Sequence, residues 1–163
     1  DTRGNTWTRD ADTAPNGGVN QRTVVFSAHV ATALQGGDSL TFTVPANEGA
    51  VAVTAEWSGI AATGPSDGSA VSTGTGTTPS ASLTTTSAPD LVLGVLGATG
   101  GTTLAAQAPS WTAATGGQAC SGNTSVSTLA AYRLPFTPSS MTYNPTLSVS
   151  TNYAVAVVAY KAQ

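Results

Sequence analysis

Charge is the scarcest commodity in this chain. Of its 163 residues only 8% are Asp, Glu, Lys or Arg, against roughly a quarter in ordinary soluble domains. The five basic residues, Arg3, Arg9, Arg22, Arg133 and Lys161, are scattered, and the net charge is −3. A protein that follows a phosphate backbone needs a basic stripe, so the composition speaks against a nucleic-acid partner. Cysteine and histidine occur once each, as Cys120 and His29. One cysteine forms no intrachain disulfide and leaves only an intermolecular bridge. One His and one Cys do not assemble the three or four N/S ligands of a zinc site. Apolar runs of membrane-spanning length are also missing, which excludes insertion by a helix.

What remains is a polar but uncharged chain with 40% hydrophobic residues, enough to collapse rather than stay disordered. Its surface must be built from Ser, Thr, Asn, Gln and Gly. Such a surface suits an extracellular protein, secreted, on a cell surface or on a virion. At this length a single domain spanning 1–163 is expected.

The periodicity is two nearly everywhere, the spacing of strands. Strands are expected at "NTWTRD", at "RTVVFSAHV" and at "SLTFTV", the last two as a hairpin across the "QGGD" turn. "AVAVTAEWSGI" (50–60) puts Val51, Val53, Ala55 and Trp57 on one face. The stretch 61–82 is Gly-, Ser- and Thr-rich and reads as a long polar loop with at most a short edge strand near 69–73. Leu91–Leu96 is a buried strand whose Gly94 and Gly97 point to a bulge or a close backbone approach. A weak strand with a following loop is expected at 110–122, another strand at 124–135, and a closing pair at "TLSVST" and "NYAVAVVAYKA". The last run is apolar on both faces, as in a strand covered from both sides. The total is about eight to ten short strands and no substantial helix: an all-β chain, a β-sandwich of jelly-roll or immunoglobulin-like type.

"D-x-x-G-N-T-W-T" (Asp1, Gly4, Asn5, Thr6, Trp7, Thr8) resembles a recurring stretch in a loosely characterised β-sandwich domain of secreted actinobacterial proteins and actinobacteriophage minor tail proteins. "VVFSAHVATALQGGDSLTFTV" (24–44), "AVTAEWSGI" (52–60), "GTGTTPSASLTTTSAPDLVLGVLG" (74–97) and "YAVAVVAYK" (153–161) are similar to further stretches in the same order. The resemblance implies one or two apolar strands ahead of the Gly-Asn-Thr strand. Residue 1 would then lie inside a domain whose sheet is completed in trans, by a neighbouring copy or a separate fragment. The alternative is that this member lacks those strands.

Several residues carry candidate chemistry. Trp7 and Trp111, in the polar settings "NTWTR" and "PSWTA", offer stacking faces for a sugar ring, with Tyr132 and Tyr143 as further aromatic contacts. Trp57 follows the inward alternation and reads as core. No cofactor is implied, and calcium is the one cation whose ligand preference the chain meets: Asp10 and Asp12 share a strand face, and Asp38, Asp67 and Asp90 lie in turns. Turn aspartates also cap their own backbone. Gly64-Pro65-Ser66-Asp67-Gly68 has the letters of a nucleophile elbow without its strand–turn–helix setting. Glu48, Glu56 and the aspartates are the only source of paired carboxylates for glycoside hydrolysis. Two residues are candidates for covalent crosslinking: Cys120, and Lys161, which as the sole lysine could join an Asn or Asp beside a carboxylic acid or pair with Glu56 across strands.

These features point first to a non-catalytic binding or adhesion module for carbohydrate or a bacterial surface. The alternative is an assembly module that pairs through sheet edges with other copies or a complementing strand, as in a phage tail, fibre, decoration or filament protein. A hydrolase is the remote third reading.

Overall fold

The computed structural model describes residues 1–14, 18–44, 49–100, 104–121 and 126–163. Among these residues eleven strands run in order: β1 (Trp7–Asp12), β2 (Val24–Ala28), β3 (Ser66–Gly76), β4 (Ala81–Thr84), β5 (Asp90–Thr99), β6 (Leu104–Ala106), β7 (Thr112–Ser121), β8 (Val126–Arg133), β9 (Ser140–Tyr143), β10 (Thr146–Leu147) and β11 (Thr151–Lys161). No helix occurs among the described residues. The fold is all-β, as the periodicity predicts, and is consistent with a β-sandwich.

β11 sits between β3 and β5 in a five-stranded antiparallel sheet of order β3-β11-β5-β8-β7. Ala154 to Tyr160 are all buried, because both faces of this sheet are covered. Successive strand residues point to opposite faces, and the two core clusters divide accordingly. Val155, Val157 and Ala159 join Val92, Leu96, Leu129, Met141 and Tyr143 on one face. Ala156, Val158 and Tyr160 join Leu91 and Ala11 on the other. Each buried Val of β11 contributes about 1.5–3 kcal/mol. The first face is covered by the β4–β9 pair and the short β6–β10 pair. The second is covered by the β1–β2 pair together with Trp57 and Ile60.

Several expectations are corrected. Residues 61–82 are not a long loop: they hold β3 and the first half of β4, and β3 forms one edge of the central sheet. Its "SDGSAVSTGTG" sequence has no hydrophobic alternation to reveal a strand, yet its backbone pairs along β11 from Ser66 to Gly76. The 39–44 run is not a strand, since β1 takes β2 as its partner, with Trp7 opposite Ala28 and Asp12 opposite Val24. Alternation specifies a face but not a partner, and Phe42 and Val44 are left exposed. Residues 50–60 keep the alternation in part, with Val51, Val53 and Trp57 half-buried and Ala52 and Thr54 exposed; Ala55, expected inward, is exposed, and only Ile60 makes a bridge, to Ala162. β7 extends through the expected loop, with an irregularity between Ala113 and Gln118. The closing pair also differs: β10 pairs with β6, and β11 with β3 and β5. The sequence also signals turns at Asn16-Gly17 and at 45–49 and spells a glycosylation sequon at Asn123-Thr124-Ser125; residues 15–17, 45–48 and 122–125 lie outside the described residues, Glu48 among them.

The close approach read from Gly94 is present. A Cβ there would meet the ring of Tyr143, a fully buried side chain whose hydroxyl donates to the Leu129 carbonyl at 3.2 Å. Gly94→Ala should therefore overpack the interface between the two layers. We expect a loss of about 1–3 kcal/mol, read as a lower urea midpoint with an unchanged m-value.

Candidate functional site

The opening motif folds for local reasons. The Asp1 carboxylate accepts the backbone N–H of Arg3 (2.9 Å) and Asn5 (3.1 Å) as well as the Asn5 side-chain amide, and Gly4 adopts φ +74°, a value that favours glycine. Asn5 then bonds the backbone of Thr32 in both directions, donating to its carbonyl and accepting its N–H, each at 3.0 Å. Trp7 is fixed by its indole N–H to Asp1 at 3.1 Å and is 38% exposed. Of the expected stacking residues it keeps a solvent-facing surface, but it lines neither of the two concavities described below.

Trp111 and Tyr143 do not serve as surface aromatics. They are 7% and 0% exposed and meet edge to face, with ring centroids 4.9 Å apart. The Trp111 indole N–H donates to the Thr142 carbonyl at 2.9 Å, which satisfies its polar end inside the core. "PSWTA" looks polar in sequence because its neighbours point away from the layer that Trp111 enters.

Tyr132 belongs to a cleft instead. It projects from β8 onto the second core face, where Trp57 from the extended 50–60 segment meets it edge to face, with centroids 4.7 Å apart at 65°. A cleft of about 390 Å³ opens over this pair, lined by Thr54, Ala55, Glu56, Trp57, Ala113 and Tyr132. Both rings are half-buried and Glu56 is exposed. Both rings pack against the second core cluster and also line the cleft. An aromatic floor with a carboxylate and a hydroxyl at its margin suits a ligand with apolar faces and hydroxyl edges. Among the described residues Glu56 is the only carboxylate lining it, whereas glycosidic cleavage ordinarily takes two flanking the scissile bond. The sequence placed Trp57 inside; its adjacency to Glu56 and the end of its strand-like run were the available sign of a margin position. A second, shallower concavity of about 330 Å³ runs between β1 and β3, lined by Arg9, Asp10, Ala11, Asp12, Ser69, Ala70 and Val71.

Of the candidate calcium ligands, Asp10, Asp12 and Asp38 are each held by different partners, while Asp67 and Asp90 lie not in turns but on β3 and β5, where they adjoin each other with Lys161 as the third group. Asp10 accepts the Tyr160 hydroxyl at 2.6 Å. Asp12 binds Arg22 through both oxygens (2.7 and 2.6 Å) and Arg9 at 2.8 Å. The bulge between Arg9 and Ala11 breaks the shared face on which the pairing of Asp10 with Asp12 rested. Asp38 receives Arg3, Thr2 and the Gln35 N–H. Among the described residues no three of His, Cys, Asp or Glu form a metal-binding group. The Arg22 hydrogen bond, followed by the charges of Arg22 and Arg9, outweighs burial and holds the Asp12 carboxyl below its usual range; the Arg3 hydrogen bond, then that of Gln35, does the same for Asp38.

Ser66 opens β3 and no helix follows it, so Gly64–Gly68 lacks the elbow. His29 is exposed and outside any strand. Cys120 lies opposite Ser127 on β7, and its side chain is outside the described part. Lys161 does not pair with Glu56; its partner is Asp67. In comparisons with protein-family models, curated proteins and solved structures, the chain matches none.

Trp111→Ala should cost about 3–5 kcal/mol of stability, while Trp7→Ala should change it by under about 1 kcal/mol, both measured by chemical denaturation. The Arg22–Asp12 pair is partly exposed, so Arg22→Ala should cost at most about 1 kcal/mol at pH 7. A lowered native pKa stabilises the fold above the ordinary Asp range and is lost as pH falls through the native value. The difference between Arg22→Ala and wild type should therefore shrink below about pH 3–4.

Proposed function

We propose that this chain is a non-catalytic recognition module acting outside the cell or on a virion surface, with carbohydrate of a bacterial surface as its ligand. The observation that carries the reading is the Trp57–Tyr132 pair under the Glu56 margin. Two half-buried rings give the apolar platform for a sugar face, and Glu56 and Thr54 supply hydrogen-bonding groups to orient the hydroxyls. The low charge of the chain fits a neutral polysaccharide better than a phosphate-rich or strongly ionic partner. The reading moves the stacking role from Trp111 and Tyr143 to Trp57 and retains Tyr132.

A second reading, assembly with other copies, is favoured by a different observation. Phe26, Phe42, Val44 and Val71 are all exposed, and β3 is an edge of the central sheet. Open edges and uncovered apolar residues invite pairing with another chain.

Titration of the purified protein with actinobacterial cell-wall polysaccharide and a glycan panel, with the solution mass recorded alongside, separates the two. Recognition predicts saturable binding by a monomer, weakened about tenfold or more by Trp57→Ala, weakened less by Glu56→Gln, and unchanged by Trp7→Ala. Concentration-dependent oligomers with no glycan binding would replace the first reading with the second.

A further inference from the structure

Lys161 is the only lysine in the chain, and the strand register brings it to two buried carboxyl groups. It lies opposite Asp90 across the β11–β5 pair. On the other side of β11, Ala159 faces Gly68 and Tyr160 faces Ser66, which leaves Asp67 as the extra residue of a bulge. Bulges re-aim side chains out of the regular alternation. The Asp67 side chain is 2% exposed, and its Oδ1 lies 4.0 Å from Lys161 Nζ.

The surroundings of Asp67 are those of a polarised acyl group. Its Oδ2 accepts two backbone N–H groups, Thr86 at 2.6 Å and Ser87 at 3.1 Å, and its Oδ1 accepts the Thr86 hydroxyl at 2.5 Å. Paired N–H donors on one carboxyl oxygen are the arrangement that stabilises a tetrahedral oxyanion. Asp90 is 1% exposed. Its Oδ1 accepts the Ser87 hydroxyl at 3.0 Å, while Oδ2 is buried with no donor. A charged oxygen left in that position is costly. The cost is relieved when Asp90 keeps a proton, which the neighbouring Asp67 carboxylate is placed to accept. Burial pushes the Asp90 carboxyl up accordingly. Burial also raises Asp67, but the bonds from Thr86 and Ser87 outweigh it and hold that carboxyl well below the usual range.

We propose that Lys161 and Asp67 condense into an intramolecular isopeptide bond, Nζ to Cγ, with Asp90 as the proton carrier. Asp90 gives its proton to the Asp67 carboxylate and takes one from the Lys161 ammonium. The freed Nζ lone pair forms the N–C bond at Cγ, and the negative charge collects on Oδ2 between the Thr86 and Ser87 N–H groups. The C–Oδ1 bond then breaks with its electron pair. Oδ1 departs as water, carrying a second Nζ proton passed through Asp90, which ends protonated as it began. Ammonium and carboxylate become amide and water, with no change of oxidation state. Condensation of this kind is uphill between free molecules in water. Two groups held side by side gain an effective concentration of up to roughly 10⁵–10⁸ M. The Lys161 side chain is 42% exposed, and its four-carbon stem is the flexible member that closes the gap. The bond would tie β11 to the β3 edge of the central sheet.

The experiment is the intact mass of the purified folded protein, followed by peptide mapping. The expected result is a mass lighter than the sequence mass by one water, with Asp67 and Lys161 recovered in one branched peptide. Asp67 is followed by Gly68, a pair that also loses water by forming a succinimide, so Lys161→Arg is the discriminating variant. It keeps the charge beside Asp67 and should restore the full mass, and Asp67→Ala should do the same. Asp90→Asn should leave a mixture in which much of the protein keeps the full mass. A wild-type protein at full mass with a lysine that acylates freely after denaturation overturns the proposal. So does a water loss that persists in Lys161→Arg or is cleared by hydroxylamine.

Discussion

Everything in this fold hangs on β11. It is hydrogen-bonded on both sides to long partners, ten register pairs with β3 and nine with β5, and its side chains feed both core clusters. The choice of residues follows from that position. Val and Ala alternate between the two faces, small enough to let a layer approach from each side and apolar enough to be withdrawn from water. A charge placed between 154 and 160 would have no solvent to reach, and the chain has none there. Where β11 leaves the core the polar residues return: Asn152 bonds Thr75 at one end, and Lys161 meets Asp67 at the other.

The two faces of the sheet are not equivalent. One is closed by strands that follow β3 in the chain, and it is sealed by aromatic packing, with Tyr143 against Gly94 and Trp111 against Tyr143. The other is closed by the first sixty residues, which are less regular and, among the described residues, contain only the β1–β2 pair of strands. This second covering leaves Trp57 and Tyr132 partly open. A recognition site there makes physical sense, because a rigid strand supplies one ring and an irregular segment supplies the other. The β1–β2 layer is held partly by polar bonds that reach across long loops: Asn5 to Thr32, Arg3 to Asp38, Thr23 to the Ala154 carbonyl, and Tyr160 to Asp10.

How far the sequence could be read depended on side-chain size. β5 and β11 were legible because Leu and Val mark both their faces. β3 was not: Ser, Gly, Ala and Thr form a strand only because β11 offers them a ladder, and nothing local announces it. Alternation at 39–44 was real but misleading, because a face without a partner is not yet a strand. For the site the limit was of another kind. Trp7 and Trp111 sit in equally polar surroundings, yet one is tethered at the surface and the other buried, and only the course of the backbone decides between them. The grouping of Asp67, Asp90 and Lys161 depends on the β11 register and on a one-residue bulge, which a linear reading has no means to locate. The lone lysine was a visible sign; its neighbours were not.

The central position of β11 also has a consequence in time. It follows every other strand in chain order, so β3 and β5 have no shared partner until it has been made. At ordinary synthesis rates β3 waits on the order of ten seconds for it. Until then the β1–β2 layer has no face to cover, and the β3 edge stands open. A chain delivered residue by residue, from a ribosome or through an export channel, cannot settle its core piecemeal. It must be kept apart from its neighbours until the last strand arrives, and then the sheet closes from the middle outward.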